Sequence, residues 1–341
     1  MPFIGPGVRA LLTYGLGLSL LLPLGTSAHA QYTEAPISMR QTGPVPVRKA
    51  TSLVPEAPAR PILTTIVQPS AFDQLEADLN AIISQSGAQV GLSLQELSGP
   101  RRQALTLNGD HAFYAASEYK LPLLMAEAQA VADGQVSAGD SLCYDASDSE
   151  DGWFTDYEPG ACFSRAELAT RAGRYSDNTA ARILVRYMGG PYALNAYAHA
   201  AGMTRSTLWD PNITTATDLT SIWLTEAIGG LGGTAAQSWL YPILTRTAAE
   251  SGIPAGLPSA ATVVHKTGDM SGVQLDAADV GNGRVHYILA VCVAGLDEVA
   301  GWAVIQRISA RIWRYEAGRP DYVAPPAAVA PVLKMRPGAR H

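Results

Sequence analysis

Residues 113–124 read Phe113-Tyr114-Ala115-Ala116-Ser117-Glu118-Tyr119-Lys120-Leu121-Pro122-Leu123-Leu124. This stretch holds Ser-x-x-Lys between apolar residues and predicts a helix from about Ser117 to Ala132. Residues three apart on a helix share a face, so Ser117 and Lys120 can meet in one pocket. A lysine whose pKa is lowered by burial or by nearby cations can take the proton of a serine hydroxyl, which is otherwise a weak nucleophile. About one such tetrapeptide is expected by chance in a chain of this length, so it needs support from elsewhere.

The composition and the N-terminus indicate an exported globular protein. The 341 residues are 47% hydrophobic and carry a net charge of −6, which gives a large core and no sign of nucleic-acid binding. Arg9, an apolar run and Ala28-His29-Ala30 predict a signal peptide over residues 1–30. An uncleaved anchor is the alternative, although the run is short and interrupted by Gly and Pro. We expect the protein in the periplasm, the cell envelope or outside the cell.

Three cysteines in an exported chain allow one disulfide. Cys143 and Cys162 bracket an acidic loop and are the predicted pair, while Cys292 lies in an apolar strand and is predicted to be free and buried. The acidic loop could hold calcium, but its spacing is not that of an EF-hand, so a solvated acidic loop is favoured. The histidines form no metal-binding pattern, and we expect neither a metal nor a cofactor.

The pattern of elements predicts one α+β domain. Residues 31–68 are Pro-rich and predicted to be a linker, residues 69–317 the folded domain, and residues 318–341 a disordered tail. Periodicity predicts helices over 71–84, 218–228, 234–249 and 298–315, strands over 89–97, 102–107, 262–266, 277–280 and 285–294, and a helical block over 164–233. This order predicts an antiparallel sheet flanked by helices, with an inserted all-helical half.

A second short motif is Ser176-Asp177-Asn178, ahead of a predicted helix. A serine there can pass a proton to a leaving group, and the amide of Asn178 can bind a substrate carbonyl. The same three residues also make a good loop and helix N-cap without any catalytic role.

A third motif, Lys266-Thr267-Gly268, follows Val263-Val264 on a predicted strand. Lysine and threonine can bind a substrate carboxylate, and Gly268 would let a ligand lie along the strand edge. The alternative is an edge-strand lysine with its ammonium group in water.

The order of the three motifs resembles that of class A serine β-lactamases and the penicillin-binding protein superfamily. The likeness extends over about residues 70 to 316 and includes Tyr175-Ser176-Asp177-Asn178-Thr179-Ala180-Ala181 and Thr214-Thr215-Ala216-Thr217-Asp218. It implies that Ser117 is the nucleophile of an acyl-enzyme, that Lys120 is the base, and that Ser176 passes a proton to the leaving nitrogen. It further implies that the side chain of Asn178 binds the substrate amide and that Lys266 and Thr267 bind its carboxylate. The backbone N–H groups of Ser117 and Asp269 would then bind the oxyanion.

The chain departs from this family at the loop that normally carries the glutamate for deacylation. Residues 208–215 correspond to a shortened version of that loop. Asp210 is the candidate base there, and its side chain is one methylene shorter than that of the family's glutamate. Arg182 stands where the family usually has an asparagine, and Asp269 and Gln274 are unusual beside the carboxylate site. The resemblance therefore implies a remodelled or absent deacylation apparatus.

Three functions follow as hypotheses. The leading one is an exported, monomeric serine hydrolase that opens β-lactam rings through Ser117 and deacylates slowly. The second is a penicillin-binding or DD-peptidase-like protein that acts on, or is acylated by, peptidoglycan-like D-Ala peptides. The third is a non-catalytic binding module associated with the cell envelope.

Overall fold

A computed structural model of the protein describes residues 69–99 and 102–319. The predicted signal peptide and linker lie outside the described residues, as does the predicted tail from residue 320 onward. Within the described ranges, no helix is long and apolar enough to cross a membrane.

The described residues form eight α-helices. Several begin where a polar side chain accepts a hydrogen bond from the first turn, as Ser70 does from the N–H of Asp73 in a capping box and Asp297 does from that of Ala300. The helices are α1 Ala71–Ser86, α2 Lys120–Ala132, α3 Arg165–Arg174, α4 Asn178–Met188, α5 Pro191–Ala200, α6 Ala216–Ala227, α7 Gly233–Leu240 and α8 Glu298–Gly318.

The main sheet has five antiparallel strands in the order β2-β1-β9-β8-β7. Two short two-stranded pairs, β3 with β6 and β4 with β5, lie outside it. The strands are β1 Gln89–Glu96, β2 Ala104–Leu107, β3 Phe113–Tyr114, β4 Ser141–Cys143, β5 Cys162–Ser164, β6 Ile213–Thr214, β7 Thr262–Met270, β8 Val273–Gly281 and β9 His286–Ala294. The predicted α+β fold, with a helical half between the first and last strands, is confirmed.

The sheet is buried on both faces, which explains the continuous apolar run in β9. Ile288, Ala290 and Cys292 belong to the core shared with the helical half, around Leu121 and Trp223. Their alternate neighbours belong to the second core, beneath α1 and α8: Tyr287, Leu289, Val291 and Val293. Side chains alternate between the faces of a strand, so a strand between two cores is apolar at every position.

One predicted helix is longer than the real one. The pattern of residues 234–249 predicts a single helix, but α7 ends at Leu240 and turns follow. Pro242 accounts for part of the difference, because proline has no backbone N–H to donate to the carbonyl four residues earlier. Strand β7 is longer than predicted, because it continues past Lys266 to Met270 and includes Thr267, Gly268 and Asp269.

The disulfide prediction is confirmed: Cys143 and Cys162 are bonded across β4 and β5, and Cys292 is a buried free thiol. The prediction of a solvated acidic loop between them is only partly right. Asp148 is buried and paired with Arg186 at 2.7 Å, and Asp156 bonds Arg171 at 2.6 Å. No group of three or more His, Cys, Asp or Glu in the described ranges is arranged to hold a metal ion.

Candidate active site

Ser117 lies in a 3-10 turn, Ala116–Tyr119, that leads directly into α2 at Lys120. The nitrogen Nζ of Lys120 is 3.0 Å from Ser117 Oγ, and the lysine side chain is fully buried. Ala116 has a φ of 46°, a left-handed conformation that costs a non-glycine residue about 1–3 kcal/mol. The strained residue thus lies immediately before Ser117.

Lys120 also reaches the second motif. Its Nζ donates to the carbonyl oxygen of Ser176 at 2.5 Å and to Asn178 Oδ1 at 2.6 Å, and it lies 3.3 Å from Ser176 Oγ. Burial and then the charge of Lys266 hold the pKa of Lys120 well below its usual value, and Asp177 and Glu150 oppose this only in part. A lysine in this state can serve as a proton acceptor.

The loop Ser176–Asp177 is held in place by its own polar contacts. Asp177 is buried, caps α4 through the N–H of Ala180 at 2.8 Å, and accepts from the Tyr157 hydroxyl at 2.7 Å. Asn178 Nδ2 donates to the carbonyl of Asp151 at 2.9 Å. The N-cap interpretation of this motif is therefore correct for Asp177, while Ser176 and Asn178 face Lys120.

Lys266 is buried, so the alternative in which its head lies in water is wrong. Its Nζ donates to Ser176 Oγ at 3.0 Å and to the Thr267 carbonyl at 2.6 Å. Burial lowers the pKa of Lys266 to about 8, against the opposing charges of Glu118 and Asp276. Ser176 Oγ thus lies between two buried lysines.

The neighbouring residue of β7, His265, contacts two carboxylates. Its Nδ1 lies 2.9 Å from Asp276 Oδ1, and its Nε2 lies 3.1 Å from Glu250 Oε1. Burial opposes the charged imidazolium, but Asp276 and Glu250 outweigh it and raise the pKa of His265 to about 9.

Gly268 allows β7 to approach the turn that carries Ser117. A Cβ atom at this position would lie 2.6 Å from the carbonyl oxygen of Ala115, which leaves no room for a side chain. The next residue, Asp269, is exposed, and its Oδ1 accepts from Gln274 Nε2 at 3.0 Å. Gln274 therefore fixes the carboxylate of Asp269, the residue that is unusual beside the predicted carboxylate-binding site.

Ser117 and Asp269 line two cavities on either side of them. One, of about 180 Å³, is also lined by Ser176, Lys266 and Thr267. The other, of about 310 Å³, is lined by a different set: Tyr114, Ala116, Tyr119, Glu150, Asn178, Arg182, Trp209, Asn212 and Met270. The residues of all three motifs therefore meet around one cleft.

Asp210 stands apart from this cleft. It is exposed, and it is not among the described residues that line either cavity. The segment that carries it, between α5 and β6, is only residues 201–212. Its neighbour Trp209 does line the larger cavity, packing edge-to-face on Tyr119 with ring centroids 5.7 Å apart.

Two carboxylates near Ser117 were not predicted as part of the site. Glu118 is fully buried behind Ser117, and burial raises its pKa well above the usual value. Glu150 lines the larger cavity and forms an ion pair with Arg182. The sequence distinguishes Glu118, because a charged residue within an apolar stretch is unusual. It does not distinguish Glu150, which lies among several similar acidic residues of one loop.

Comparisons with known proteins identify the family of the chain. A model of the β-lactamase enzyme family matches residues 74–315. The chain is 36% identical over 120 residues to β-lactamase CTX-M-8 of Citrobacter amalonaticus, a match that covers 30% of this chain and 40% of that protein.

Solved structures are similar over more of the chain. The L158E mutant of PBP-A, as an acyl-enzyme complex with penicillin G, has a TM-score of 0.67 and 26% identity, covering 72% of this chain and 98% of that one. An ancestral class A β-lactamase has a TM-score of 0.64 and 26% identity, covering 71% and 99%. The fold, the family match and the three motifs around one cleft agree, and the chain belongs to the β-lactamase enzyme family, with a class A β-lactamase-like fold.

Proposed function

We propose that this protein is an exported, monomeric serine hydrolase that opens β-lactam rings through an acyl-enzyme on Ser117. The observation that carries the proposal is the 3.0 Å contact between Lys120 Nζ and Ser117 Oγ, with the lysine buried and its pKa lowered. The family match supports the reaction class, and the penicillin acyl-enzyme of PBP-A supports the substrate class for a related fold.

Acylation begins when neutral Lys120 takes the proton of the Ser117 hydroxyl as Oγ attacks the lactam carbonyl carbon. The backbone N–H groups of Ser117 and Asp269 stabilise the oxyanion. Ser176, which lies between Lys120 and Lys266, passes its hydroxyl proton to the lactam nitrogen as the C–N bond breaks. Lys120 then returns the proton taken from Ser117 to Ser176 Oγ, which lies 3.3 Å from its Nζ. The product is an ester of Ser117 with the opened ring.

Substrate orientation follows from the charges around the cleft. Lys266 and Thr267 bind the substrate carboxylate, and Asn178 binds its amide. The amide of Gln274 fixes the direction of the Asp269 carboxylate beside this site.

Deacylation is the slow step in this proposal. The shortened segment of residues 201–212 leaves Asp210 exposed and away from the described residues around Ser117. Loss of the general base from this segment slows release of the acyl group, by up to about 10²–10⁴-fold where no other group replaces it. The acyl-enzyme therefore accumulates.

A penicillin-binding or DD-peptidase-like function is the second candidate, and the short segment favours it. A non-catalytic envelope module is the third, but a buried lysine beside a serine would then have no evident use. Incubation with a fluorescent penicillin and with a chromogenic cephalosporin separates the three. A burst followed by slow turnover supports the leading proposal, and a permanent label without turnover supports the second. The absence of both label and turnover supports the third.

A further inference from the structure

The larger cavity beside Ser117 contains a carboxylate, that of Glu150, that no part of the scheme above uses. Its side chain is 40% exposed and forms an ion pair with Arg182 of α4, whose guanidinium lies 5.3 Å from the ring centre of Trp209. Glu150, Arg182 and Trp209 all line the cavity that Ser117 also lines. The carboxylate is thus both held in position and accessible to water.

The backbone of Glu150 is fixed to the same helix. Its N–H donates to Thr179 Oγ1 at 3.1 Å, and its carbonyl accepts from that hydroxyl at 3.0 Å. The next residue, Asp151, accepts from Asn178. The acidic loop therefore holds Glu150 against the first turn of α4, which also provides Asn178.

Asn212 adds a second acceptor to the same cavity. Its Nδ2 donates to the carbonyl of Ala116 at 2.8 Å, and the residue is 8% exposed. Its Oδ1 is buried and has no hydrogen-bond partner in the described part of the chain. A buried acceptor of this kind is expensive to leave unpaired, and a water molecule would satisfy it.

We propose that Glu150, positioned by Arg182, is the general base that activates the water for deacylation, with Asn212 Oδ1 as a second acceptor for that water. The assignment rests on the proposed acyl-enzyme at Ser117.

In this step the carboxylate of Glu150 takes one proton from water, and the water oxygen bonds to the ester carbonyl carbon. The tetrahedral intermediate then breaks its bond to Ser117 Oγ. The proton held by Glu150 passes to the departing Oγ, directly or through Lys120, so that Ser117 and Glu150 return to their starting states and the opened acid leaves.

The test measures the decay of a preformed acyl-enzyme. Wild type, Glu150→Gln and Asp210→Asn are labelled with a fluorescent penicillin, freed from excess reagent, and followed for loss of label by intact-mass spectrometry at neutral pH. Glu158→Gln is the matched control, because Glu158 is an exposed carboxylate in the same loop. Arg182→Lys and Arg182→Ala test the positioning contact.

We expect Glu150→Gln to slow the decay by about 10²-fold or more and to change the labelling rate far less. Glu158→Gln and Asp210→Asn should decay like the wild type, and Arg182→Lys should recover much of the rate that Arg182→Ala loses. The assignment would be overturned if Glu150→Gln decayed at the wild-type rate or if Asp210→Asn decayed more slowly than the wild type. It would also be overturned if Glu150→Gln slowed labelling and decay by the same factor. Absence of any label on the wild type would overturn the proposed function, and this assignment with it.

Discussion

Lys266 Nζ donates a hydrogen bond to Ser176 Oγ at 3.0 Å, across 90 residues of sequence. The same hydroxyl lies 3.3 Å from Lys120 Nζ. Two buried ammonium groups on either side of one hydroxyl repel each other. Burial, and after it the charge of Lys266, lowers the pKa of Lys120. The pair therefore favours one neutral and one charged lysine, which are the states required for a base and for a carboxylate-binding group.

Ser117→Ala should abolish covalent labelling by any β-lactam or acyl phosphonate while leaving the fold intact. Ser117 lies at a helix start with its Oγ 3.0 Å from the buried Lys120 Nζ, and alanine removes only the hydroxyl. Intact-mass spectrometry after incubation with a penicillin, with circular dichroism as the folding control, provides the measurement. An adduct on Ser176 in the variant would refute the assignment of the nucleophile.

Chromogenic cephalosporin hydrolysis should show a burst close to one equivalent of enzyme, followed by slow turnover. Ser117, Lys120 and Ser176 are all in contact distance for acylation, whereas the deacylating segment is short. Stopped-flow absorbance at several enzyme concentrations measures the burst amplitude, which should scale with enzyme. Fast linear turnover without a burst would show that deacylation is not limiting.

Substrate binding should weaken as the pH rises above about 8, the pKa of Lys266. Burial lowers that pKa from 10.5, so the ammonium group loses its proton in this range and its bond to the substrate carboxylate loses its charge. A charge-assisted hydrogen bond contributes about 1.5–3 kcal/mol, which corresponds to roughly 10–100-fold in affinity. The measurement is the concentration dependence of acylation between pH 6 and pH 10.

Lys266→Met is the matched variant for this test. It should bind weakly at every pH, without the change near pH 8. A wild-type affinity that stays constant up to pH 10 would contradict the role of Lys266.

His265 should stabilise the fold at low pH and lose that contribution on alkalinisation. Its folded pKa of about 9 is raised from 6.5, so the stabilisation is fully present below 6.5 and disappears as the pH rises through 9. A shift of this size corresponds to a free energy on the order of 3 kcal/mol. Denaturant unfolding of wild type and His265→Gln should give a difference that is large at pH 6 and small at pH 9.5; a difference that grows with pH would be inconsistent with the charged state.

Removing the Cys143–Cys162 bond by the double change to alanine should lower the free energy of unfolding by about 3 kcal/mol, because the bond closes a loop with a sequence separation of 19. Urea unfolding measures this, with Cys292→Ala as the control that leaves the bond intact. Non-reducing peptide mapping should find the bond in the exported protein, and a bridge to Cys292 would refute the pairing.

Local sequence determined much of the fold. Ser70 and Asp297 mark helix starts because a short polar side chain satisfies an otherwise unpaired N–H group. Alternation and apolar runs located β1 and β9, and the order of Ser-x-x-Lys, Ser-Asp-Asn and Lys-Thr-Gly indicated one site. These signals depend on residues close to one another in sequence, so they can be recognised without the tertiary structure. The apolar period continues past Leu240, but Pro242 has no N–H group to extend the helix, so α7 ends earlier than the period predicts.

The tertiary structure alone decided the chemical state of the site. Burial and the approach of Lys266 lower the pKa of Lys120, and both depend on strands and helices far apart in sequence. The position of Glu150 is another such result. Among several similar carboxylates in its loop, Glu150 pairs with Arg182 and lines the cavity that Ser117 also lines, while Asp210, the candidate base of the shortened loop, lies exposed. Charge and solvation depend on distances between packed elements, and such distances follow from how the whole chain fills its core.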